Sequence, residues 1–64
     1  MPIITIEMLD GRSEEMKLSL VQDVTDAVSR SLNIDKEEVD IMLKEVKRKD
    51  WAKGGVPWPW GRTY

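Results

Sequence analysis

Pro2-Ile3-Ile4-Thr5-Ile6-Glu7-Met8-Leu9, followed by Asp10-Gly11-Arg12-Ser13-Glu14-Glu15, is the stretch that decides the fold. Ile3, Ile4 and Ile6 are β-branched, and Ile4, Ile6 and Met8 alternate with Thr5, Glu7 and Leu9. That alternation predicts a strand over residues 2–9. Both of its faces are fairly apolar, which suits a strand covered on both sides. Asp10-Gly11 signals a turn. Ser13 then offers a helix N-cap, and Glu14-Glu15 place negative charge on the first turn.

Working outward, Leu20, Val21, Val24, Ala27, Val28 and Leu32 recur at helical spacing. They form one apolar stripe, with Gln22, Asp23, Asp26 and Arg30 opposite. A helix is expected over residues 14–32, ended by Asn33, which tolerates left-handed backbone. Asp35 and Glu38 have the spacing of a capping box, so one helical turn can form there. Val39 to Val46 reads as a second strand, with Val39, Ile41 and Leu43 on one face and Met42 and Val46 on the other. A helix of nearly 20 residues between two strands predicts a right-handed β-α-β crossover with parallel strands. Lys47-Arg48-Lys49 is expected to be a solvated basic turn. The tail holds Trp51, Trp58, Trp60 and Tyr64, with Gly54-Gly55 reading as a turn. Pro57 and Pro59 forbid a helix and favour an extended or edge conformation.

The whole chain is 64 residues with 10 basic and 12 acidic side chains, no Cys and no His. It is read as a single domain over residues 1–64, with residues 55–64 an atypical Trp/Pro tail. A chain this short buries only about 60% of its unfolded surface. Disulfides, Cys/His zinc sites and His-dependent triads are excluded by composition. The slightly acidic balance argues against nucleic acid, and no apolar run approaches the ~20 residues of a membrane span. No signal peptide opens the sequence, and the expected location is the cytoplasm. No metal and no cofactor are expected.

Oligomerisation is the support that remains. Two parallel strands and one helix leave a bare sheet face and two open edges. Two copies pairing edge to edge would make a four-stranded sheet with helices on one face, and further copies would cover the other. The Trp-rich tail is expected to contribute to such contacts.

Few groups could do chemistry. Removal of Met1 makes Pro2 the N-terminus, and its nitrogen becomes a secondary amine. Ordinary α-amino groups titrate near pKa 7.7–8.0, close to where a general base works best. The same amine could act as a nucleophile. While Met1 remains, that nitrogen is an amide without a basic lone pair. Arg12, after the strand, is the candidate anion binder.

Pro2 directly after Met1, the strand from Ile3, the segment Leu9-Asp10-Gly11-Arg12-Ser13, the helical Ala27-Val28-Ser29-Arg30-Ser31-Leu32, Glu45, Trp51 and Gly54-Gly55 together resemble the small 4-oxalocrotonate tautomerase family. The resemblance covers residues 2 to about 55. It implies an α+β fold, a β-α-β subunit with parallel strands assembled into dimers and then a hexamer. It implies a cofactor-independent isomerase acting on small carboxylates, 2-hydroxydienoates or 2-oxo acids, with aromatic catabolism as a setting. Pro2 would move the proton, Arg12 from a neighbouring subunit would hold a carboxylate, and Trp51 would line the pocket.

The sequence departs from that family at two places. Asp40 stands where the best-known members carry a second Arg, and an ionised carboxylate cannot donate a hydrogen bond. Lys44 or a paralogous partner chain could supply the charge, the substrate could be a monoacid, or Asp40 could activate water. The tail from Val56 also differs from the usual end, which forms a hairpin at subunit contacts. Two alternatives therefore stand beside the homo-oligomeric isomerase: a subunit of a hetero-hexamer with a paralogue, and a non-catalytic oligomeric binding module.

Overall fold

The computed structural model describes residues 1–59. β1 (Ile3–Leu9) leads into α1 (Glu14–Leu32), and β2 (Asp40–Val46) returns beside β1. The two strands are parallel and in register, with Ile4 opposite Ile41, Ile6 opposite Leu43 and Met8 opposite Glu45. The expected β-α-β crossover is therefore present. Each strand starts one residue later than the apolar pattern predicts. Pro2 has no N–H to give a ladder, and Val39 instead donates to the Lys36 carbonyl at 3.0 Å.

The helix boundaries coincide with the expected 14–32. Ser13 Oγ accepts from the Met16 N–H at 3.1 Å, satisfying one of the donors a helix start leaves unpaired. At the other end Asn33 has φ 57° and its N–H reaches the Ser29 carbonyl. Ser13→Ala should cost about 1 kcal/mol, read as a shift of the denaturant midpoint at fixed protein concentration.

The short turn after the helix forms over Lys36–Glu38, but not by a capping box: the Asp35 side chain accepts no cap hydrogen bond. The turn closes through backbone instead, Glu38 N–H to the Asp35 carbonyl at 3.0 Å. Lys36 bridges back to Asp26 at 2.9 Å, tying this turn to the helix.

The tail has the turn expected at Gly54-Gly55 and the edge position expected of Pro57, and builds them into a hairpin. β3 (Ala52–Lys53) and β4 (Val56–Pro57) pair antiparallel around Gly54-Gly55. Both glycines have positive φ, 60° and 81°. Two consecutive left-handed residues suit the tight turn of a two-residue hairpin. Pro57 is tolerated because this is a two-stranded edge pair with no further neighbour among the described residues. A hairpin thus forms although the sequence from Val56 departs from the family's usual end. Trp60 and the rest of the tail lie outside the described residues.

The helix covers one sheet face, so Ile4, Ile6, Met8, Ile41 and Leu43 are half-buried with Leu20, Val21, Val24, Ala27 and Val28. Among the described residues none is fully buried. On the opposite face Ile3 is 64% and Met42 47% exposed. The radius of gyration is 15.0 Å, against about 11 Å for a compact domain of this length. The described residues form a secondary-structure frame without a closed core.

Candidate active site

Pro2 sits at the entrance of β1. Its carbonyl accepts from the Asp40 N–H at 3.1 Å, which pins it to the start of β2. The Pro2 ring is half-buried and, with Ile4, Ala27, Val28, Ser31 and Leu32, lines an open apolar depression of about 380 Å³. The Pro2 nitrogen thus stands at the head of β1, beside apolar surface.

Asp40 lies at the same end of the sheet, opposite Ile3 in register. Its side chain is on the exposed face with Ile3 and Met42, away from the helix. Lys44, opposite Glu7, is four residues further along that same face and also exposed.

Arg12 is at the other end. β1 carries six residue steps from Ile3 to Leu9, on the order of 20 Å of extended chain. Arg12 follows the turn at Gly11, whose φ of 109° is a conformation suited to glycine. The Arg12 side chain is exposed and, with Met8, Met16, Lys17 and Leu20, lines a second depression of about 170 Å³. Among the described residues Arg12 has no ion pair. Lys17 beside it is already engaged: its Nζ lies 2.9 Å from Glu45 and 3.1 Å from Glu14. Its ammonium is held above the ordinary lysine value by the Glu45 hydrogen bond first and the Glu14 hydrogen bond second.

Trp51 also belongs to the Arg12 end. It is half-buried and, with Glu7, Val46, Asp50 and Ala52, lines a pocket under the hairpin. Its carbonyl accepts from the Trp58 N–H at 3.0 Å, fastening the hairpin's exit to its entrance.

The four residues expected at the site thus fall into two pairs, Pro2 with Asp40 and Arg12 with Trp51, at opposite ends of one sheet. Sequence reasoning missed a further element of the Arg12 end. The basic run at Lys47–Lys49 is more than a solvated turn, because Arg48 reaches back to Asp10 at 3.1 Å. Its guanidinium also lies 5.8 Å from the centroid of the Trp58 ring. That link spans 38 positions, and no local pattern announces it.

Among the described residues no three His, Cys, Asp or Glu side chains gather to hold a metal ion. None of the described helices is long and apolar enough to cross a membrane.

Comparison with known proteins agrees with this frame. A probable tautomerase of Listeria innocua is 46% identical over 56 residues, covering 88% of this chain and 92% of the relative. A probable tautomerase of Lactiplantibacillus plantarum is 41% identical over 56 residues, 88% of each chain. Among solved structures, a 4-oxalocrotonate tautomerase homologue superposes with a TM-score of 0.83 at 38% identity, covering 95% of this chain and 97% of that one. A heterohexamer 4-oxalocrotonate tautomerase from Chloroflexus aurantiacus superposes with a TM-score of 0.85 at 31% identity, covering 97% and 100%. The family described as tautomerase enzyme matches residues 2–58, which take in the β-α-β unit and the whole of the described hairpin. This chain therefore belongs to the tautomerase family of isomerases.

Proposed function

We propose that the processed chain, with Pro2 at its N-terminus, catalyses keto–enol proton transfer on 2-hydroxydienoate or 2-oxo acid substrates. Pro2 is the general acid and base. Arg12 of a neighbouring copy holds the substrate carboxylate through charge-assisted hydrogen bonds. Trp51 closes the apolar wall beside it. No cofactor or metal takes part.

The observation that carries this reading is the division of the site. Pro2 and Arg12 are separated by the length of β1, far more than one small carboxylate spans. A second copy must bring its Arg12 end to the Pro2 end of the first. The same contact would cover the exposed face around Ile3 and Met42. A homo-oligomer, with a hexamer as the expected form, supplies both.

Asp40 favours a second reading. Its backbone is tied to Pro2 and its carboxylate lies at the same end of the sheet, where a dianionic substrate would meet a negative charge instead of a cation. A subunit of a hetero-oligomer could receive a compensating cation from a paralogous chain, and the Chloroflexus relative is a heterohexamer.

The test pairs mass with activity. Purified protein is sorted by native mass spectrometry into species with and without Met1, and each is assayed for ketonisation of a 2-hydroxydienoate. Activity is expected in assembled species lacking Met1. Equal activity in chains that retain Met1 would overturn the Pro2 mechanism. Activity that appears only after a paralogue is added would select the hetero-oligomer.

A further inference from the structure

Arg12 carries the proposed anchor, yet an acid stands two residues before it in the same turn. Asp10 is part-exposed, with 42% of its side chain accessible. Left alone, its carboxylate would be a local competitor for the Arg12 guanidinium and a source of repulsion for an incoming anion. It is not left alone. Arg48 Nη1 donates to Asp10 Oδ1 at 3.1 Å. The same guanidinium lies against the Gly11 backbone, where an added Cβ would sit 3.6 Å and 3.7 Å from its two terminal nitrogens. Trp58 faces it from the hairpin at 5.8 Å, within cation–π range. The turn itself is fixed from below, with the Asp10 N–H on the Val46 carbonyl at 3.1 Å. Asp10 is thus occupied by a cation that the hairpin holds, while Arg12 has no ion pair among the described residues.

We infer that Arg48 is a positioning residue: it occupies the Asp10 carboxylate and so keeps the Arg12 guanidinium available to a substrate carboxylate. The inference rests on the proposed anchor role of Arg12. The pair is half-exposed, so its effect is modest and screened by salt.

The experiment measures kcat and KM for a 2-hydroxydienoate and for its methyl ester, in assembled protein lacking Met1. Arg48→Gln should raise KM for the acid about three- to fivefold, with kcat within about twofold. The ester, which offers no carboxylate to Arg12, should show a ratio near one. Asp10→Asn added to Arg48→Gln should restore KM to within about twofold of the starting protein, because the competing charge is gone. Arg48→Lys, which keeps the charge on a different head, should fall between.

Three results would overturn the inference. They are an unchanged KM in Arg48→Gln, equal damage to acid and ester, and no recovery in the double variant. If Arg48→Gln fails to assemble while Asp10→Asn/Arg48→Gln also fails, Arg48 acts through packing and the inference is likewise lost. Arg12→Ala separates the two levels. If it leaves KM for the acid unchanged, the anchor reading itself is wrong. If it raises KM while Arg48→Gln does not, only the role of Arg48 is.

Discussion

Adding any residue ahead of Pro2 should reduce kcat/KM by about 10²- to 10⁴-fold, the usual contribution of a positioned acid–base group. That corresponds to about 3–5 kcal/mol of transition-state stabilisation. The reason is electronic rather than steric. A preceding residue turns the Pro2 nitrogen into a tertiary amide, which has neither a proton to give nor a lone pair to accept one. Pro2→Ala should be the milder change, because loss of Met1 still leaves a primary amine at the head of β1. That amine keeps the charge but gives up the ring that fixes its orientation. The expected order is therefore processed protein, then Pro2→Ala, then the extended chain. The fold predicts that assembly survives in all three. The Pro2 carbonyl that accepts from Asp40 is present whatever follows or precedes the nitrogen. The measurement is kcat/KM with native mass in the same samples. An extended, assembled chain with undiminished kcat/KM would remove Pro2 from the chemistry.

Much of this architecture is legible along the chain because local signals decide it. Ser13 and Asn33 mark α1 to the residue, since each meets a backbone requirement that few side chains meet. The strand alternation gives the correct faces, so Ile4 with Ile41 and Ile6 with Leu43 meet under the helix. What the sequence leaves hidden depends on contacts far apart in it. Asp35 and Glu38 have capping-box spacing, yet backbone bonds close that turn and the Asp35 side chain is not needed. The Gly54-Gly55 turn and the edge character of Pro57 are legible, but that they close a hairpin of Ala52–Lys53 on Val56–Pro57 is not. Arg48 reads as one of three basic residues until the hairpin places it against Asp10. The candidate site shows the same division. Pro2 and Arg12 stand out from the sequence by residue type and family resemblance. That they lie at opposite ends of one sheet follows only once β1 is known to run unbroken between them.

That separation makes the second large effect specific. Arg12→Ala should lower kcat/KM about 10- to 100-fold, mostly through KM, as expected for loss of a charged hydrogen-bond partner. Pro2→Ala lowers it through kcat. If Pro2 and Arg12 of one site belong to different copies, the two defects can be separated by mixing. Oligomers assembled from equal amounts of Arg12→Ala and Pro2→Ala chains contain four kinds of pairing. A site is intact only where an Arg12→Ala chain supplies Pro2 and a Pro2→Ala chain supplies Arg12. With random assembly that is about one site in four, so at substrate well below KM the mixture should recover about a quarter of the starting kcat/KM, above either impaired parent. A site built within one chain would give none, since every chain carries one defect. The measurement is activity of co-refolded protein, with native mass spectrometry showing mixed assemblies. Mixed oligomers no more active than their parents would mean that the two ends of the sheet do not meet across subunits. The roughly 20 Å of extended β1 that lies between them would then have to be closed in some other way, which the continuous β1 ladder does not allow.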